Sequence, residues 1–111
     1  MNRPRMTPAA CALLRALLDR AGSCRDRVFL SNWMTIDWHS LTFSGEKHQF
    51  GLVFSGTDAA LRVRQWLDGL ADAEFDIGTA GFVAEIAPAA PPRTRDDGSV
   101  LVEVEALTIA G

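Results

Sequence analysis

The sequence predicts an α+β fold in which two helices cover one face of a four-stranded, mainly antiparallel sheet. Two segments carry apolar residues at helical spacing, and four segments alternate apolar and polar residues with the period of a strand. The order along the chain is helix, strand, strand, helix, strand, strand. Two hairpins joined through a helix favour a single sheet with both helices packed on the same side.

Length and composition limit the class of protein. A chain of 111 residues with 48% hydrophobic residues fits one domain, so residues 1–111 are predicted to form a single domain. Apolar runs stay well below the roughly 20 residues that a membrane helix needs. The net charge of −3 offers no basic field for nucleic acid. We therefore expect a cytoplasmic protein with no membrane contact and no sequence-specific nucleic-acid partner.

The first helix begins at Thr7-Pro8, because a hydroxyl residue caps the first turn and proline is favoured at the first helical position. The apolar residues that follow at helical spacing are Ala10, Leu13, Leu14, Leu17, Leu18 and Ala21. Gly22 then ends the helix. Residues 1–6 precede the cap, and we expect them to be flexible.

The first hairpin lies in the segment VFLSNWMTIDWHSLTFSGEKHQFGLVF. One face of its first strand carries Met34, Ile36 and Trp38. A change of phase near His39-Ser40 predicts a bulge or two strand pieces, and Ser44 to Lys47 is predicted as the turn. The second strand alternates, with one face formed by His48, Phe50, Leu52 and Phe54.

The second half repeats the pattern of helix and hairpin. Thr57-Asp58 caps a helix whose apolar stripe is predicted to consist of Leu61, Val63, Trp66, Leu67 and Leu70. The segment FVAEIA is the third strand, and residues 88–98 form a proline-rich loop that we expect to be mobile. In the last strand, residues 99–109, valines alternate with Glu103 and Glu105, so one face is apolar and the other solvated.

Residues suited to catalysis are few. His39 and His48 lie on the predicted hairpin, but only Asp37 and Glu46 accompany them, and zinc sites use three or four ligands. The chain has no P-loop, dinucleotide fingerprint or nucleophile elbow. Its two cysteines, Cys11 and Cys24, are separated by a predicted helix of about three turns, too far apart for a disulfide, and are expected to be free and buried or half-buried. The sequence therefore predicts no catalytic, cofactor-binding or metal-binding residue and a protein that is not an enzyme. A small hydrolase or isomerase that uses one of the histidines remains an alternative.

A resemblance to a known family rests on the order of five segments: DWHSLTFSGEKHQFGLVFSG, AALRVRQWLDGL, GFVAEIA, RTRDDG and VLVEVEAL. Together they resemble the small tail-completion, or tail-terminator, proteins of long-tailed phages and gene transfer agents. The matching positions are Asp37-Trp38, Gly45 to His48, Phe50 to Phe54, Ala59 to Leu70, and Arg95 to Ala106. The chain departs from the family before its first strand, where SNWMTI has no proline.

The resemblance implies a virion structural protein that forms a ring, commonly hexameric, on the last layer of a tail tube. Such a protein stops tube growth, joins the tube to the head-neck connector, and passes from the cytoplasm into a phage-like particle. The partners implied are copies of the chain itself, the tail-tube protein and the connector protein, with no cofactor. The candidate interface residues are Trp33, Trp38, Gly51, Arg93, Arg95, Asp96 and Asp97. The alternative class is a small α+β ligand-binding or regulatory module.

Overall fold

The helix predicted at Thr7-Pro8 spans Pro8–Asp19 (α1) in the computed structural model, which describes residues 5–110. The hydroxyl of Thr7 accepts the backbone N–H of Ala10 at 3.2 Å, as expected of an N-cap residue. Residues 1–4, which carry most of the predicted flexible start, lie outside the described residues. The chain leaves α1 through a 3₁₀ helix, Gly22–Arg27.

The sheet confirms the predicted α+β fold with one strand more than expected. Its strands are β1 (Val28–His39), β2 (Ser44–Phe54), β3 (Phe82–Pro88), β4 (Arg93–Thr94) and β5 (Val100–Ile109). All pairings are antiparallel: β1 pairs with β2, β2 pairs with β5, and β3 and β4 pair with β5. The additional strand arises because Arg93–Thr94, in the predicted loop, pairs with the start of β5.

The core lies between the two helices and one face of the sheet. Predicted alternation is confirmed in β2 and β5, where Phe50 pairs with Val104 and Leu52 with Val102, all buried. The second helix, α2 (Ala59–Leu67), adds Trp66, whose ring meets Phe54 edge to face at 5.6 Å. The prediction that Leu61 belongs to the apolar stripe is wrong, since this residue points away from the core and is exposed.

The turn of the first hairpin lies at residues 40–43, not at the predicted Ser44 to Lys47. Ser40 closes it, since its backbone N–H donates to the carbonyl of Phe43 at 2.8 Å and its hydroxyl accepts the N–H of Phe43 at 3.0 Å. His48 is therefore in the middle of β2 rather than beside a turn. The predicted bulge near His39-Ser40 is also wrong, because the register shift lies between Leu30 and Asn32.

The loop between β3 and β5 is hydrogen-bonded to the sheet. The N–H of Ala89 donates to the carbonyl of Glu103 at 2.8 Å, and the N–H of Arg95 donates to the carbonyl of Ser99 at 2.8 Å. Asp97 accepts the hydroxyl of Ser99 at 2.6 Å. The predicted mobility of residues 88–98 stays a prediction. Within residues 5–110, none of the helices has the length and apolar character needed to cross a membrane.

Candidate interaction surface

The sheet face opposite the helices, called the outer face below, has no layer of residues 5–110 packed on it. The strand register aligns its side chains in rows that run across the sheet. One row contains Met34, Gln49, Glu105 and Ala87, and the next contains Ile36, Lys47, Leu107 and Glu85. The outer face therefore brings together residues that are far apart in the sequence.

A groove of ≈ 460 Å³ runs across these two rows. Its apolar side chains include Met34 and Ile36 from β1 and Leu107 from β5. Met34 is 55% exposed and Ile36 is 53% exposed, although both sit in the interior of a strand. A solvated sheet face normally carries polar residues at such positions. The groove is thus an apolar surface left without a partner by the rest of the described chain.

Three charged side chains line the same groove: Lys47, Glu85 and Glu105. The ion pairs within 4.0 Å in the described part of the chain are Arg25–Asp19, Arg62–Asp58 and the pair of His48 with Glu46. None of them involves a charge of the groove. The groove therefore offers one positive and two negative groups for contact from outside.

The tryptophans of the candidate set lie on opposite faces of β1, as their parity predicts. Trp33 pairs with Phe50 and packs against the core, half-buried. Trp38 pairs with Gly45 on the outer face and is also half-buried. Only Trp38 thus extends the surface formed by Met34 and Ile36.

Gly51 lies on the outer face, but the space beside its Cα is filled by another side chain of the same chain. An added Cβ there would lie 2.7 Å from the side-chain oxygen of Asn32, the residue paired with Gly51 on β1. The absence of a side chain at Gly51 accommodates this amide. This contact explains the glycine without an external backbone or helix, so Gly51 is not part of the proposed contact surface.

The remaining candidates, Arg93, Arg95, Asp96 and Asp97, are exposed at β4 and the turn before β5. Arg93 pairs with Leu101. It lies in the same row as Val53 and Phe29. The hydrogen bonds from the side chain and backbone N–H of Ser99 lower the pKa of Asp97 below its usual 3.8. The structure thus places Arg93 on the outer face, at the edge of the sheet opposite β1. Arg95, Asp96 and Asp97 lie beyond it, in the turn before β5.

The two histidines do not come together. His39 pairs with Ser44 at the end of the hairpin and is exposed, whereas His48 pairs with Thr35 and is buried. Among residues 5–110, no cluster of three or more His, Cys, Asp or Glu side chains is arranged to hold a metal ion. Both cysteines are free: Cys24 is buried, and Cys11 is exposed instead of at least half-buried.

Around His48 the structure forms a buried polar cluster that sequence reasoning does not identify. The ring nitrogens lie 3.0 Å from the hydroxyl of Thr35 and 2.8 Å from that of Thr108. Burial lowers the pKa of His48, and the nearby carboxylate of Glu46 opposes this shift. Glu46 in turn accepts the hydroxyl of Thr7 at 2.8 Å. The cluster links α1, β1, β2 and β5, and its closed hydrogen bonding is typical of a structural element.

Sequence reasoning also misses the charges of the groove. It treats Glu105 only as a solvated residue and places Lys47 in a turn. The available signal is alternation, which puts Lys47 opposite the phenylalanines of β2 and Glu105 opposite the valines of β5. The pairing order of the strands is needed to bring them into one groove with Glu85.

Compared with protein families, with curated proteins and with solved structures, the chain shows no match. The resemblance to tail terminators therefore rests on the five sequence segments alone.

Proposed function

We propose that this chain is a structural subunit of the tail-terminator type, which assembles with copies of itself into a ring on the end of a tail tube. In this role it stops tube growth and meets the head-neck connector. The observation that carries the proposal is the uncovered outer face, where Met34 and Ile36 are more than half exposed in the middle of a strand. Exposed apolar patches of this kind mark interaction sites.

The size of the outer face supports a protein partner. Four neighbouring strands spaced at about 4.8 Å, with about ten residues each at about 3.3 Å, give a face of about 600 Å². This is close to the roughly 800 Å² that each partner contributes to a standard protein interface. The open edge of β1 adds to it, because β1 pairs only with β2 within the described residues and edge strands readily accept a neighbour.

The test is the oligomeric state of the purified full chain, measured by light scattering on a sizing column and by negative-stain imaging. We expect rings, and we expect the double variant Met34→Lys/Ile36→Lys to be a folded monomer. Lysine at these exposed positions costs little folding stability but places two charges in the contact. As a matched control, Thr57→Lys/Thr79→Lys adds the same charge at exposed positions off the outer face and should still form rings.

A second measurement addresses the tail tube. Polymerising tail-tube protein mixed with the chain should give tubes that are shorter than tubes formed alone and capped at one end. A wild-type chain that remains monomeric at all concentrations, and also in the presence of tail-tube protein, would contradict the proposal.

The groove also supports the alternative of a small ligand-binding module, because apolar and charged groups line one concave surface. That function requires a monomer, or an oligomer with open grooves, that retains small molecules. Native mass spectrometry of the purified chain distinguishes it from the assembly proposal, since a bound small molecule would appear as an added mass on the subunit.

A further inference from the structure

We propose that the outer groove of one copy is occupied by the exposed side of α2 from the next copy. This inference rests on the proposed assembly function and adds to it the identity of the two contacting surfaces. The exposed side of α2 and the residue that follows it present Leu61, Arg64, Gln65 and Asp68. Leu61 is 48% exposed. Among the helical residues within 5–110, no other large apolar side chain is exposed.

Charge complementarity selects this occupant. Arg64 and Asp68 are four residues apart, so they lie side by side on the helix, about 6 Å apart. Neither belongs to an ion pair within 4.0 Å among the described residues. In the groove, Glu105 and Lys47 are diagonal neighbours on β5 and β2, at about 7–8 Å. Arg64 can therefore meet Glu105 while Asp68 meets Lys47.

Glu85 strengthens this assignment. It lies on β3 across from Leu107 and faces the same groove, so the groove carries two negative groups on one side of Lys47. A helix crossing the groove with Arg64 over the glutamates and Asp68 over the lysine pairs opposite charges. Its Leu61 then lies at the β3 end of the groove, beside Ala87.

The tip of the first hairpin is another exposed apolar element, with Leu41 fully exposed and Phe43 more than half exposed. Its sequence, SLTF, carries no charge. If it filled the groove, Lys47, Glu85 and Glu105 would be covered without partners, and burying unpaired charges is costly. The hairpin tip is therefore the weaker candidate.

Helix α1 is also weaker, for a different reason. Its exposed side presents Arg15 and Asp19, also four residues apart, but Asp19 already pairs with Arg25. It also lacks an exposed large apolar residue within the described part of the chain. Helix α2 combines a free charge pair with an exposed leucine.

A contact between α2 and the outer groove joins two different patches of the same chain. Such heterologous contacts generate a ring when the rotation between successive copies closes, and an open filament when it does not. Because α2 covers the core face of the sheet and the groove lies on the outer face, each copy retains one free helix and one free groove until the ring closes.

The inference is tested by charge reversal in the full chain, with association measured by light scattering over a concentration series. Arg64→Glu and Glu105→Lys should each raise the concentration needed for assembly at least about tenfold, since close charge pairs at interfaces couple strongly. The double variant Arg64→Glu/Glu105→Lys restores an opposite-charge pair and should assemble at close to the wild-type concentration. Arg15→Glu, the same change on the exposed side of α1, should leave assembly unchanged.

The outcomes separate this inference from the proposed function. A wild-type chain that never self-associates contradicts both. Wild-type rings that persist in Arg64→Glu overturn the α2 contact and leave the assembly function standing. The α2 contact is likewise overturned if both single variants fold and dissociate but the double variant does not recover assembly. Loss of rings in Leu41→Ser/Phe43→Ser, with Arg64→Glu unaffected, assigns the groove to the hairpin tip instead.

Discussion

The Nε2 atom of His48 lies 2.8 Å from the hydroxyl of Thr108, which links β2 to β5 inside the core. On its other side, Nδ1 lies 3.0 Å from the hydroxyl of Thr35 on β1. One side chain that is 1% exposed thus connects three neighbouring strands. A neutral imidazole donates with one nitrogen and accepts with the other, so two hydroxyls satisfy it without any charge.

This environment predicts a pH dependence of stability. Burial lowers the pKa of His48 below its usual 6.5, although the carboxylate of Glu46 opposes the shift. The unfolded chain therefore takes up a proton at a higher pH than the folded chain does. The contribution of His48 to the free energy of unfolding is fully present above pH 6.5. It is lost as the pH falls from there through the lower pKa of the folded state.

Urea unfolding from about pH 8 to about pH 5 measures this effect, because the slope of the unfolding free energy against pH reports the difference in bound protons. We expect the slope in this window to disappear in His48→Gln, whose overall stability is lower. Asp97 acts at lower pH, since its pKa is held below 3.8 by Ser99. A His48→Gln chain with the wild-type slope would show that His48 does not titrate in this range.

Replacing Thr108 with valine should destabilise the fold more than its change in size suggests. Valine keeps the shape but removes the hydroxyl next to His48, and a buried group that loses its hydrogen-bond partner costs roughly 1–3 kcal/mol. The free energy of unfolding, measured in urea, tests this. Thr108→Ser is the matched control because it keeps the hydroxyl, and it should lose clearly less. Equal losses in both variants would attribute the effect to packing.

The N-cap of α1 gives a third prediction. Thr7 accepts the N–H of Ala10 and donates to Glu46, so Thr7→Ala removes both contacts. We expect a loss of about 1–2 kcal/mol, typical of a lost cap. Thr7→Ser should retain most of the stability. In a double-mutant cycle with Glu46→Ala, a coupling energy of zero would mean that the bond to Glu46 contributes nothing.

Much of the fold follows from alternation and capping, whereas the position of the first turn does not. Glycine is common in turns, so Gly45 favours a turn at Ser44 to Lys47. In the structure, the space for a Cβ at Gly45 is taken by the backbone carbonyl of Thr108 on the neighbouring strand. Glycine is required at this position by a contact with a residue distant in sequence. Local sequence cannot distinguish a glycine required by such a contact from a glycine required by a turn.

The candidate surface is predictable in part. Period-two spacing places Met34, Ile36 and Trp38 on one face of β1, as predicted. Leu30 and Trp33 are three residues apart, so this spacing alone would put them on opposite faces. Both face the core because the register shifts between Leu30 and Asn32. Both faces of this strand are apolar, so the pattern alone does not decide which face is covered. That decision comes from where the helices pack.

Two glycines of β2 offer a final prediction, because the same substitution meets different obstacles. Gly45→Ala drives its Cβ into the backbone carbonyl of Thr108, which is fixed by the sheet. The nearest atoms to the Cβ of Gly51→Ala belong to the side-chain amide of Asn32, at 2.7 Å, and this exposed side chain can rotate into solvent. We expect Gly45→Ala to cost more than about 2 kcal/mol, as overpacking does, and Gly51→Ala less than about 1 kcal/mol.

Unfolding of both variants in urea under the same conditions measures this difference. The double variant Gly51→Ala/Asn32→Ala removes the obstructing amide, so the added methyl at residue 51 should cost less in that background than in the wild type. If Gly51→Ala is instead as damaging as Gly45→Ala, Asn32 is held firmly over the strand. The amide would then be a fixed part of the outer face, and a partner would meet Asn32 rather than open backbone at that position.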